Sequence, residues 1–175
     1  MTIDDLLPAW DWRSAHATRV AAPPARTAEA ARTITGRDLP VTGVLMRVRR
    51  LGRHRSDDRP VVEGLGRIGL RVLVDDPFAL VLGGVLAPWR PRGGHVPVGS
   101  PAELQAFAAP GWVRVAAAFT VEPDGSGSRM ATETRIAATD ATARRRFGRY
   151  WRLIGPFSGI TRREMLSAIR RRAEA

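Results

Sequence analysis

The chain has no cysteine and no lysine, and no apolar run approaches the roughly 18 residues of a membrane-spanning helix. Without cysteine there are no disulfides, no thiolate metal sites and no thiol nucleophile, and thiols cannot mark the redox compartment. The missing lysine accompanies heavy use of alanine and arginine, the mark of a GC-rich coding bias, which lowers the weight any one arginine carries. There is no Gly-x-Ser-x-Gly elbow, P-loop, zinc spacing, internal repeat or interdomain linker. Gly64-Leu65-Gly66-Arg67-Ile68-Gly69 only superficially resembles a phosphate loop, because no clear strand precedes it and a strand pattern follows. The sequence therefore implies neither a cofactor nor a metal.

At 175 residues, with 44% hydrophobic and 26% charged content, the composition suits one globular domain spanning residues 1–175. The net charge of +11 is uneven: residues 141–175 hold ten arginines against Glu164 and Glu174, giving +8 and leaving +3 for the rest. A basic face of that density is either simply solvated or meets anionic membrane, nucleic acid or an acidic partner. The opening Met1-Thr2-Ile3-Asp4-Asp5 is acidic where a secretory signal is basic, so a cytoplasmic location is expected.

The C-terminal third organises the rest. Met130, Thr132, Thr134 and Ile136 alternate with Arg129, Ala131, Glu133 and Arg135, the period of a half-buried strand. Thr139-Asp140 offers a cap, and the period then turns helical. Phe147, Tyr150, Trp151 and Ile154 share one face, and their stripe passes Ser158 to reach Met165 and Ile169. Arg145, Arg146, Arg149, Arg152, Arg163, Arg170 and Arg171 take the other face. The helix is expected over 141–173, kinked at Gly155-Pro156, and it needs a concave apolar surface to cover its aromatics.

Upstream, a lead at 1–13 with Leu6, Leu7, Trp10 and Trp12 reads as a strap across the body, followed by a strand over 14–21. Helices are expected from Pro23-Pro24 to Ile34, closed by Gly36, and from Leu39 to Arg50 with Val41, Val44, Leu45 and Val48 on one face. A polar loop at 52–60 precedes strands at 66–74 and 79–88, joined by an Asp75-Asp76-Pro77 turn. The second is apolar on both faces, so it is either covered twice or meets a second copy of the chain as a homodimer. Residues 89–94 read as a loop and 95–109 as irregular with a helical piece near 101–107. A strand from Trp112 to Val121 then turns through Pro123-Asp124-Gly125-Ser126-Gly127 into the last strand.

A strand, two short helices, a run of antiparallel strands and one long helix resemble the helix-grip fold. That α+β fold is shared by START lipid-transfer domains, the birch-pollen-allergen family and polyketide cyclases, the SRPBCC superfamily. The resemblance, to a bacterial branch, is carried by Ala131-Thr132-Glu133-Thr134-Arg135-Ile136, Arg146-Phe147 with Tyr150-Trp151, and Pro156-Phe157-Ser158-Gly159 with Arg162-Arg163. Pro110-Gly111 and the segment from Gly83 to Trp89 fit more loosely. It implies a curved antiparallel sheet wrapped around the C-terminal helix, an apolar cavity between them, and no particular reaction.

Small inward positions also point to room between sheet and helix. The expected ligand is a small apolar or amphipathic molecule, held as by a carrier or sensor. Its walls would be Val115, Ala117 and Phe119, Thr132 and Thr134, and Phe147, Trp151 and Ile154, with the two threonine hydroxyls orienting it. A rival is a cyclase- or dehydratase-type enzyme using Glu133 or His16 as base, which needs a polar group of shifted pKa inside the cavity. His54 and His95 read as exposed. The second rival is a basic module binding nucleic acid or anionic membrane through the arginine face. Base stacking wants aromatics and arginines on one surface, and here they are opposed.

Overall fold

The computed structural model describes residues 1–49, 58–90 and 94–175; His54, most of the polar loop at 52–60 and residues 91–93 lie outside them. Its elements are α1 (Ile3–Leu6), β1 (Trp12–Val20), α2 (Pro24–Thr33), a 3-10 turn at Gly36–Asp38, α3 (Pro40–Arg49), α4 (Val61–Gly66), β2 (Arg71–Asp76) and β3 (Ala79–Leu86). There follow β4 (His95–Val96), α5 (Pro101–Ala106), β5 (Val113–Asp124), β6 (Gly127–Ala138) and α6 (Ala141–Glu174). All paired strands are antiparallel, in the order β1-β6-β5-β3-β2, with β4 beside β3. One sheet face lies along α6, the α+β helix-grip arrangement.

Alternation decides what each face carries. In register, Val115 meets Ile136, Ala117 meets Thr134, Phe119 meets Thr132 and Val121 meets Met130, and all eight are buried. Trp12, Ser14, His16 and Thr18 of β1 extend the same face. Ala116, Ala118 and Ala137 face the other way, with Val81 and Val85, into a second core. Ile3, Leu6 and Leu7 close it together with Leu104. The N-terminal lead is thus a strap, although its Trp10 is exposed. β3 is covered on both faces.

Arg135 fixes the strap. It is buried, and its guanidinium donates to Asp4 Oδ1 at 2.6 Å, to the Leu7 carbonyl at 3.3 Å and to Glu133 Oε1 at 2.6 Å. α6 starts where Asp140 accepts from the Thr142 and Ala143 amides at 2.6 and 2.9 Å and also from the Gly111 amide. It runs unbroken through Pro156 for 34 residues, about 51 Å at 1.5 Å per residue. Its far half is tied back: Glu164 accepts from the Val41 and Thr42 amides, both at 2.7 Å, and Glu174 from the Ala21 amide at 2.9 Å.

Three expectations are corrected. Residues 61–66 are helical, and β2 begins only at Arg71, because Gly69, at a positive φ, turns the chain before it extends. Val41 and Val44 of α3 are exposed, because Glu164 captures the helix start and turns Thr42 and Gly43 inward; the side chain of Val48 lies outside the described residues. Asp75 and Asp76 belong to β2 rather than to a turn.

Gly84 is a point of close approach. A Cβ there would lie 2.1 Å from the Gly69 carbonyl oxygen, whereas one at Gly64 would meet nothing within 4 Å. Gly84→Ala is expected to destabilise by about 2 kcal/mol or more, since backbone must shift. Gly64→Ala should be neutral or stabilising by up to about 1 kcal/mol. Urea denaturation of both variants checks the contrast.

Candidate functional site: a cavity beneath the middle of the C-terminal helix

α6 is buried at its two ends and not between them. Ala143 and Phe147 are buried, as are Met165, Leu166, Ala168, Ile169 and Ala173, yet no residue from 148 to 164 is. The near end is an aromatic cluster. Phe147 packs on Trp12, Trp89, Tyr150 and Trp151 with ring centroids 4.7–6.1 Å apart. The far end packs on α2, whose small Ala28, Ala30 and Ala31 allow close approach.

Beneath the unburied middle lies a cavity of about 440 Å³. Its walls are Leu45 and Met46 of α3, Leu65, Ile68 and Leu70 in and after α4, Phe119 of β5, and the α6 residues Leu153, Ile154, Phe157, Ser158, Thr161, Arg162 and Met165. Its volume falls within the roughly 300–1,000 Å³ of small-molecule sites, and its lining is mostly apolar with a few polar groups, as such sites are. α6 supplies seven of the lining residues, and α3, α4 with the segment after it, and Phe119 supply the rest.

The expected wall residues separate into three groups. Phe119 and Ile154 line the cavity. Phe147 and Trp151 belong to the aromatic cluster that anchors the start of α6. Val115, Ala117, Thr132 and Thr134 lie on the sheet face toward α6 without reaching the cavity wall. Among the described residues the buried Thr134 hydroxyl has no hydrogen-bond partner, and the Thr132 hydroxyl accepts from Arg162 at 2.6 Å.

Arg162 is the residue the sequence reading missed. It lies four residues after Ser158 and three before Met165, on the apolar stripe rather than on the arginine face. That spacing was the available signal. Its guanidinium sits 5.8 Å from the Phe119 ring centroid, and burial lowers its pKa to about 10. The seven arginines assigned to the opposite face are all exposed.

The rival bases stand elsewhere. Glu133 is on the sheet face away from α6, where Arg13 donates to both its oxygens at 2.8 and 3.0 Å and Arg135 adds a third bond. Its pKa falls to about 2, chiefly through the Arg13 hydrogen bond. His16 is on the α6 side, 3.3 Å from the Ser14 hydroxyl, with its pKa lowered by burial and by Arg163 and Arg162. Among the described residues lining the cavity there is no Asp, Glu or His. Nor is any described helix long and apolar enough to cross a membrane.

Glu133, with its folded pKa depressed, stabilises the fold above its unfolded value near 4.5, and that contribution is lost as pH falls toward 2. Glu133→Gln should therefore flatten part of the stability decline between those values. Chemical denaturation as a function of pH checks this.

No family model matches the chain, and no curated protein matches its sequence. Among solved structures it is similar to that of TTHA0849 from Thermus thermophilus, at 14% identity and a TM-score of 0.38, covering 93% of this chain and 97% of that one. It is also similar to that of Ara h 8.0201, at 8% identity and a TM-score of 0.29, covering 90% and 97%. The helix-grip arrangement is read from the chain's own sheet order and the seat of its C-terminal helix.

Proposed function

We propose that this protein, a bacterial helix-grip protein of the cytoplasm acting as one unit, holds a small apolar or amphipathic molecule beneath the middle of α6 as a carrier or sensor. One observation carries the reading. A helix that is buried at both ends spans, between them, a cavity of about 440 Å³ walled mainly by leucine, isoleucine, phenylalanine and methionine. An apolar molecule seated there would gain dispersion contacts with these side chains and shield them from water. Phe119 and Ile154 are the direct contacts, while Phe147 and Trp151 set the helix height above the sheet.

The neutral fluorophore N-phenyl-1-naphthylamine tests it. The wild type should bind with micromolar affinity. Ser158→Trp, which places an indole in the cavity, should weaken binding about tenfold or more, some 1.4 kcal/mol, with an unchanged circular dichroism spectrum. Native mass spectrometry of protein from its host should also find an apolar passenger. Absence of both probe binding and a passenger would overturn the proposal.

A specific observation favours contact with anionic membrane as a second reading. Leu153, Phe157 and Ile160 are exposed along one face of α6, and Ile68 is exposed beside them at the cavity. Arg149 and Arg152 adjoin them. Apolar side chains entering an interface beside arginines facing headgroups is the pattern of peripheral binding. The wild type should co-sediment with phosphatidylserine vesicles, weakly with phosphatidylcholine alone, and lose binding in high salt or as Leu153→Asp. Equal binding to both vesicle types would count against it.

A further inference from the structure

Arg162 is unlike the other arginines of α6. An arginine on a helix surface turns its guanidinium to water, whereas Arg162 extends from the apolar stripe toward the sheet and borders the cavity. Of its five N–H donors, one is satisfied among the described residues, by the Thr132 hydroxyl at 2.6 Å. The Phe119 ring face, 5.8 Å away, offers a weak cation–π contact. Among the described residues no carboxylate lies within ion-pairing distance.

The two carboxylates of α6 are committed elsewhere, Glu164 to the start of α3 and Glu174 to the Ala21 amide. From β1, His16 faces the same side, and its lowered pKa keeps it neutral at pH 7. Arg162 is partly exposed and lines the cavity, and the protein around it is dense enough to depress even an arginine. An unpaired cation in such a place is costly, and methionine or leucine would fill the position more favourably. The arrangement is economical only if an anion arrives with the ligand.

We infer that the molecule held here is a monoanionic amphiphile whose carboxylate pairs with Arg162 while its chain lies against Phe119, Ile154 and Met165. This rests on the cavity reading above. The guanidinium fork matches a carboxylate in two parallel bonds, and Thr132 sets its direction. Arg162 is the sole cation on the cavity wall among the described residues, so the site balances one negative charge rather than the two of a phosphate monoester.

The test is displacement of bound N-phenyl-1-naphthylamine by dodecanoate, 1-dodecanol and dodecyl phosphate. In the wild type dodecanoate should compete about tenfold or more better than dodecanol, and better than the phosphate. Arg162→Met should rank dodecanoate and dodecanol within about threefold of each other, each measured against that variant's own affinity for the probe, while Arg162→Lys keeps part of the preference. Arg162→Gln serves in the same role should the methionine variant not fold. Equal competition by acid and alcohol in the wild type, with the probe still bound, overturns the carboxylate assignment and leaves the cavity reading intact. So does a preference that survives in Arg162→Met, which would place the anion on the surface arginines. Stronger displacement by dodecyl phosphate overturns the choice of a single charge. Failure of the wild type to bind the probe overturns the cavity reading and this inference together.

Discussion

Everything in this fold answers to one demand, that the apolar stripe of a 34-residue helix be kept from water along its length. A sheet face cannot do this alone, because strands cross the helix and touch only part of it. The chain solves the problem at the ends. Five aromatic rings seat the first turns on β1 and the segment after β3, and small alanines of α2 receive the last ones. What remains is a span of α6 held above the sheet by its supports, with α3 and α4 closing the side. The cavity is the geometric remainder of that seating.

Polar contacts then set where the remainder opens. Asp140, Glu164 and Glu174 each give a carboxylate to backbone amides, one at the start of α6 and two that reach from it to other segments. Helix starts favour negative charge, so a glutamate from α6 is a good clasp for α3. The cost is borne by Val41 and Val44, which are left in water when Thr42 and Gly43 turn inward. On the far side of the sheet, the Arg13–Glu133–Arg135–Asp4 chain ties the N-terminal strap down and keeps its charges out of the cavity.

Much of this was legible in the sequence. Strict alternation at 113–121 and 130–136 fixed which side chains face α6, and Thr139-Asp140 marked its start, because both signals are local. The valine face of α3 misled because its orientation depends on Glu164, more than a hundred residues away. Glycines at 64, 66 and 69 misled because a glycine-rich apolar run satisfies helix, turn and strand alike. For the site, alternation placed Val115, Ala117, Thr132 and Thr134 on the correct face, but periodicity does not say which part of that face the helix leaves uncovered. Arg162 was missed because ten arginines in one helix hid the one on the apolar stripe.

The exposed face of α6 carries its positive charge on guanidinium groups alone, and these 175 residues hold no lysine. Guanidinium does not release its proton in the physiological range, and it is not a substrate for amine acetylation. The field of this face therefore cannot be lowered by pH or by acetyl transfer, and its reach is set by the Debye length, roughly 8 Å at physiological ionic strength. Ionic strength and the approach of an opposing anionic surface are what change it.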